Sequence, residues 1–417
     1  MGSTIGAFIG GVNAEKFGRK KAMLFDGLCM FIGLTLIGFC SYSFPIILVG
    51  RFICGSAASS LQTIVPAYVS EISQPAYRNA TGLQYMVCFT LGMVAMLAMG
   101  TVLPWALAVK ILSGFSILHL TVLSMCPESP IWLITNGKID EAKKVLHSLR
   151  KSDLLVKLEL DRIKRSYEEA VCHSDTESDT KGDGLQFYLS LFRDKAFLKP
   201  LATLALVFVV FCEWSGLPPL AFFLVQLLMD AKIPVDPYIA TVGIFAFRSA
   251  VLIIGNFIVA RFKMRVVFFS TTICHLVVMS MIALYSYLNK DGWLTENFPT
   301  AGWTPIICIM LLYATAGVGC FNVIFSFTGI LFPSYARTFG SGLIGVLDNI
   351  ALVGTSSLFP YMLEAFGLHG SLMVNIICVA SSGIILWFTL PETYGVTLED
   401  IEQFYRSEKN SKEKVTE

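Results

Sequence analysis

Charge is scarce in this sequence. Only 15% of its 417 residues are Asp, Glu, Lys or Arg, and they nearly cancel to a net charge of +1. A soluble fold of this size needs far more polar surface, and a nucleic-acid partner needs a concentrated basic face. Neither is present. The eleven cysteines never fall in a C-x-x-C pair, and most, such as Cys29, Cys54, Cys88, Cys212, Cys308 and Cys378, lie inside apolar runs. There Cys behaves as a small hydrophobe, which argues against a disulfide framework or a metal site. There is no phosphate-binding loop, no metal-ligand cluster and no nucleophile–base spacing. The chain is therefore read as a non-enzyme without cofactor or metal.

What is abundant is apolar mass: 55% of the residues are hydrophobic and 12% aromatic, with a mean hydropathy of +0.67. It is laid out in runs near the ~20 residues that cross a bilayer as a helix. Complete runs read Ala22 to Phe39, Pro45 to Val69, Ala80 to Val102 and Trp105 to Met125. A second set reads Phe197 to Met229, Tyr238 to Ala260, Val266 to Tyr287, Pro305 to Phe332, Gly340 to Phe359 and Ser371 to Leu390. The first apolar stretch, Met1 to Asn13, is short for a span and lacks a basic leader or cleavage site. It reads as the second half of a span whose beginning is absent. Counting it, five segments precede a long polar insert and six follow. An absent first span would make six and six.

The insert is the organising feature. Between Gly137 and Pro200 stand 13 Lys/Arg and 12 Asp/Glu. Lys138 to Arg150 and Leu154 to Ala170 have the composition of amphipathic helices lying under the spans. His173 to Gly184 has nothing to bury and reads as disordered. Lys and Arg collect in one set of loops, at Lys16 to Lys21, Arg78, the insert, Arg261 to Arg265, Arg337 and the tail. By the positive-inside rule these loops, the insert and the C-terminus are cytosolic. The acceptor pattern Asn79-Ala80-Thr81 falls on that side and reads as a chance match. The domain reading is 1–126 for an N-terminal helix bundle and 127–196 for the linker. Residues 197–390 form a second bundle and 391–417 a tail.

The two halves echo each other. Pro127-Glu128-Ser129 closes the first and Pro391-Glu392-Thr393 the second, and Arg78 has a counterpart in Arg337. Repeated halves are expected where two bundles rock about a site near the membrane midplane. Glu15, Glu71 and Glu128 lie at helix ends close in depth to Arg19 and Arg78. Pairing among them would latch the helices when the cytosolic gate is shut. The alternative is plain topology-setting charge, which is the reading for Lys20 and Lys21.

In order along the chain stand Gly11-x-x-x-Glu15-Lys16-x-Gly18-Arg19-Lys20, Gly50-Arg51, Pro66-x-Tyr68-x-x-Glu71, Pro127-Glu128-Ser129-Pro130-x-Trp132-Leu133 and Pro391-Glu392-Thr393-x-Gly395. Together they resemble the sugar porter family of the major facilitator superfamily. An arginine in the eighth helix (Arg248) and the Gly367-Leu368-His369-Gly370 turn look closest to its facilitated trehalose transporter-like branch. The resemblance implies an all-α polytopic membrane protein with the major facilitator fold. That fold has two six-helix bundles, of which the first helix and part of the second are missing here. It further implies alternating access for a hexose or trehalose-like sugar, and a gating set of Glu15, Arg19, Arg51, Glu71, Arg78, Glu128, Arg337 and Glu392. The second-half latch is lopsided, because Ile330 stands where the family has Glu.

The solute region departs from the family. A Gln-Gln-x-Ser-Gly-x-Asn pattern appears here as Cys212-Glu213-Trp214-Ser215-Gly216-Leu217-Pro218, and Gly-Pro-x-Pro-Trp as Phe321-Asn322-Val323-Ile324-Phe325. The fifth-helix Gln falls on Met86. Charge within the membrane replaces the lost amides: Glu213, Arg248 and Asp348. Such groups normally face a cavity and mark function. Alignment by the motifs makes Glu213, Ser215, Arg248, Asn322, Asp348 and Asn349 the substrate-binding candidates. A structural Arg–carboxylate clamp joining three helices is the competing reading. Asp26, Lys110, His119 and His275 are read as structural.

These residues predict a facilitative carrier of a small polar solute, with the lipid bilayer as its other partner and the plasma membrane as its location. Two rivals stand beside it. One is a proton-coupled or organic-ion carrier on the same fold. The other is a non-transporting membrane sensor.

Overall fold

The computed structural model describes residues 2–40, 42–73, 78–150, 152–161, 163, 192, 195–231, 233–259, 261–289, 298, 302–320, 324, 327, 331–332 and 337–390. All regular structure among them is helical. Seven helices are long and apolar enough to cross a membrane by length and composition, and two shorter apolar helices, Met86–Val102 and Thr304–Gly319, accompany them. The chain separates into two compact units. One comprises Met1–Gly82, Pro104–Phe197 and Ser334–Val346, and the other Leu83–Leu103, Leu198–Pro333 and Leu347–Glu417.

The first unit holds α1 (Gly2–Phe17), α2 (Arg19–Phe39), α3 (Phe44–Ile72) and α5 (Trp105–Met125); α4 (Arg78–Val102) begins in it. Helix α1 lies close against α3 because of small residues. Gly2, Gly6 and Gly10 recur every four positions, and a Cβ on any of them would collide with Phe52, Ser56 or Ser60 of α3. Lipid chains are as apolar as Leu, so spans associate through such close backbone approach rather than through hydrophobicity. A cluster of Ala14, Ala22, Met23, Ile64, Tyr68 and Leu123 fills the space between these helices.

The insert folds as the amphipathic pattern predicts where it is described. Helices α6 (Pro130–Thr135) and α7 (Ile139–Leu149) are followed by a helical stretch at 153–161. In α7, Ala142 and Leu146 sit one turn apart and are wholly buried, one apolar stripe on an otherwise charged helix. Ala142 packs with Trp132, Leu133 and Ile134 of α6. Asp140 and Glu141 occupy the first turn of α7 and His147 the last, matching the helix dipole. Arg150 ties this layer to the spans. It donates to both oxygens of Glu159 at 2.8 and 2.9 Å and to the carbonyl of Ile72, at the end of α3, at 3.1 Å. The segment read as disordered, His173 to Gly184, and the tail from Pro391 onward lie outside the described residues.

The second unit is built from interrupted spans. Helix α8 (Lys195–Ala205) passes into a π-helical segment, Leu206–Cys212, then a 3₁₀ turn, Glu213–Ser215. Gly216 turns left-handed at φ +79°, and α9 (Leu217–Asp230) continues with Pro218 and Pro219 in its first turn. Proline suits that turn because its missing N–H would have no intrahelical partner. Helices α10 (Pro237–Val259) and α11 (Met264–Leu288) are uninterrupted. Helix α12 (Thr304–Thr315) ends in a second π-helical segment, Ala316–Cys320. The last helix, α13 (Arg337–Thr389), is 53 residues long, about 80 Å at 1.5 Å per residue. That is more than twice a bilayer core. It is two spans folded at Gly367, where φ is +68°, and Ser371 Oγ closes the turn on the Gly367 carbonyl at 2.8 Å.

Candidate functional site

Two polar centres stand out, one in each unit. In the first unit, a basic turn meets the end of α3 and the start of α6. Arg19 donates from Nη2 and Nε to Glu71 Oε1 at 3.0 and 3.2 Å, and from Nη1 to the Ala14 carbonyl at 3.0 Å. The other Glu71 oxygen accepts the Ser129 hydroxyl. Both partners are mostly buried, at 14% and 12% side-chain exposure. A pair so placed gains more than a surface pair, because little water competes for its hydrogen bonds.

Glu128 acts differently from the arginine partner expected of it. Its Oε1 accepts the backbone N–H groups of Lys20 and Ser129, each at 3.0 Å. Helix α2 begins at Gly18, whose own residue offers no capping side chain, so Glu128 caps it from 108 residues away. The approach requires glycine: φ at Gly18 is +99°, and a Cβ would stand 2.5 Å from Glu128 Oε2. Glu15 contributes its carbonyl, which accepts Trp132 Nε1–H at 2.8 Å, while Tyr68 donates to the Pro127 carbonyl at 2.7 Å. Arg51 stands apart. It is exposed on α3, 20 residues and so about 30 Å from Glu71 along the helix. The side chains of Arg78 and Arg337 and the whole of Glu392 lie outside the described residues.

In the second unit, Glu213 is 5% exposed at the break in the seventh-helix segment. It meets Asp348 of α13 in side-chain hydrogen-bonding contact and accepts the Thr355 hydroxyl at 3.3 Å. Asn349, beside Asp348, is half-buried. Arg248 sits at the centre of α10, eleven residues from either end, half-buried. Its guanidinium carbon is 5.2 Å from the Tyr313 ring centroid and 5.8 Å from that of Phe245. The Arg–carboxylate clamp is not formed. Among the described residues, ion pairs within 4.0 Å are Arg19–Glu71, His147–Asp153 and Arg150–Glu159. The two acids engage each other, and the arginine rests on rings.

Ser215 is also reassigned by its contacts. It is wholly buried, donating to the Cys212 carbonyl at 2.6 Å and accepting from Leu217 N–H at 3.3 Å. It braces the break. Asn322 lies outside the described residues.

His275, read from the sequence as structural, bridges two helices. Completely buried on α11, it places Nε2 3.1 Å from the Ser215 carbonyl and Nδ1 2.9 Å from Thr315 Oγ1. A carbonyl can only accept, so Nε2 holds the proton in the neutral ring; the single Thr315 hydroxyl proton is shared between Nδ1 and the Leu312 carbonyl, 2.8 Å away. One imidazole thus joins both interrupted helices, at the end of the 3₁₀ turn and at the start of the second π segment. The sequence signal was available: a polar residue in an apolar helix, opposite two Gly-containing segments. Asp26, read as structural, is buried and accepts the Ser60 hydroxyl at 2.5 Å.

The family described as "Sugar (and other) transporter" matches residues 1–405. The chain belongs to the sugar transporter family. Among its relatives is the facilitated trehalose transporter Tret1 of Drosophila virilis, 24% identical over 399 residues. That match covers 95% of this chain and 42% of the relative. The Aedes aegypti Tret1 is 24% identical over 399 residues, with 95% and 48% covered. The chain therefore spans less than half the length of these relatives. In three dimensions it is similar to the xylose transporter XylE from E. coli in a partially occluded inward-open conformation. The TM-score is 0.74 at 14% identity, over 95% of this chain and 87% of that one. The human organic anion transporter MFSD10 (TETRAN) gives 0.61 at 15% identity, over 92% and 81%. These structures establish the major facilitator fold. This is a multi-pass membrane protein.

Proposed function

We propose that this chain carries a sugar across a membrane by alternating access, as a facilitator rather than a pump. The observation that carries the proposal is the interrupted helix at Leu206–Gly216, which brings the polar residues Glu213 and Ser215 to mid-span. Breaks of this kind are tolerated in the hydrocarbon region where the backbone is buried in protein or lines a solute path, and carriers place them beside their solute sites. Family membership and relatives named as trehalose facilitators support the cargo. The Arg19–Glu71 pair, with Glu128 on the α2 N-terminus, serves in this reading as the latch that parts when the carrier opens on that side. The basic loops support a cytosolic C-terminus, and the plasma membrane is the proposed location. No covalent chemistry is assigned to the chain.

The test is uptake of radiolabelled trehalose, glucose and glucuronate into proteoliposomes holding the purified chain. Saturable uptake that stops at equal concentrations on both sides is expected. Uptake no faster than in empty liposomes would remove the proposal in favour of a sensor. A second reading, proton coupling, is favoured by the Glu213–Asp348 contact. Accumulation above the external concentration under an inward proton gradient would select it.

A further inference from the structure

We infer that the solute carries an anionic group, a carboxylate on a sugar, and that Arg248 binds it. The inference rests on the sugar-carrier reading and narrows it to a sugar acid.

Arg248 lies at the middle of a 23-residue span, about 16 Å from either end at 1.5 Å per residue. An extended arginine side chain does not reach the interface from there, so its charge needs a partner at that depth. The two acids of this unit that sequence reading offered as partners are engaged elsewhere. Glu213 accepts the Thr355 hydroxyl and has Asp348 as its carboxyl neighbour. No carboxylate among the described residues lies within 4.0 Å of the guanidinium. What does touch it are the rings of Tyr313 and Phe245. Their π faces attract a cation but have no lone pair to accept its N–H groups.

Tyr313 adds a second observation. It is 1% exposed, and its buried hydroxyl has no hydrogen-bond partner among the described residues. A buried hydroxyl is normally satisfied, and an exception asks for a ligand or water. A cation without an anion and a hydroxyl without a partner belong to neighbouring side chains. The guanidinium fork matches a carboxylate in two parallel hydrogen bonds. Phe245 and Tyr313 brace the arginine, so little rotamer freedom is lost when the anion arrives.

The probes are glucuronate, glucose, trehalose and acetate, bound to the purified full chain in detergent and read by ligand-induced shifts in melting temperature. Glucuronate is expected to bind at least about tenfold more tightly than glucose, the scale of a charge-assisted bidentate contact. Arg248→Gln should bring the two within about twofold of each other, and Arg248→Lys, a point charge without the fork, should fall between. Glucose or trehalose binding as tightly as glucuronate would overturn the inference and leave the sugar-carrier reading intact. A glucuronate preference that survives in Arg248→Gln would overturn the role of Arg248. Acetate binding as tightly as glucuronate would instead remove the sugar, and with it the carrier reading on which the inference stands. Should Arg248→Gln fail to fold, the glucuronate-to-glucose ratio in the parent chain and in Arg248→Lys decides.

Discussion

The corner where α2 meets α3 and α6 and the middle of the second unit both bury charge, yet they settle it in opposite ways. At the corner, Arg19 donates three hydrogen bonds, two to Glu71 and one to a carbonyl, and both Glu71 oxygens are engaged. Glu128 accepts two backbone N–H groups. In the second unit, Arg248 rests on two rings, and the hydroxyls of Tyr313 and Ser356 and the amide nitrogen of Asn375 are buried without partners among the described residues. A saturated network holds helices together. An unsaturated one leaves bonding capacity for something that comes and goes.

That contrast can be broken by measuring stability. Glu71→Ala strips Arg19 and Ser129 of a partner at once and leaves a mostly buried cation. It should cost roughly 3 kcal/mol, read as a fall in melting temperature in detergent. A loss indistinguishable from a surface substitution would mean the corner is not tightly coupled. Gly18→Ala tests the same corner through the backbone. A positive φ and a Cβ pressed on Glu128 should together cost about 2 kcal/mol, with Gly18→Asn no milder, because ψ of 158° lies outside the left-handed helical region that Asn tolerates.

His275→Phe sharpens the comparison from the other side, since His275 is the saturated element of the second unit. Losing both bonds leaves the Ser215 carbonyl in need of a partner, a penalty of about 1–3 kcal/mol, while the Thr315 hydroxyl keeps the Leu312 carbonyl at 2.8 Å. Hydrogen exchange should then rise at the amides around Glu213–Gly216, and unchanged protection there would count against the bridge. The smallest effect belongs to Arg248→Met. This substitution takes away a desolvated charge together with its packing on two rings, so the change should stay within about 1 kcal/mol. A collapse as large as that of Glu71→Ala would show that the arginine is held by a partner outside the described residues.

Much of the fold was legible in the sequence. The spans Ala22 to Phe39 and Trp105 to Met125 agree with α2 and α5 within a few residues. The amphipathic stretch at Lys138 to Arg150 matches α7. The pairing of Arg19 with Glu71 followed from their shared depth. The binding candidates were legible as residues and not as partners: Glu213, Arg248 and Asp348 were singled out for their charge, yet the arginine meets neither acid. The bonds of the Ser215 hydroxyl to its own segment were not legible in the sequence.

Hydropathy and length are properties of a single helix in a bilayer, which demands about 20 apolar residues whatever the neighbours are. Sequence alone therefore determined the spans, the insert, the basic loops and the motif order of the family. Partner choice depends on which helix faces which, and on distances of a few ångströms between residues separated by 108 positions for Lys20 and Glu128 or 60 for His275 and Ser215. Only the tertiary structure decided that Glu128 caps α2, that His275 joins two interrupted helices and that Arg248 lies on Tyr313. A hydrogen bond is made or lost within half an ångström, and no periodicity along the chain encodes that distance.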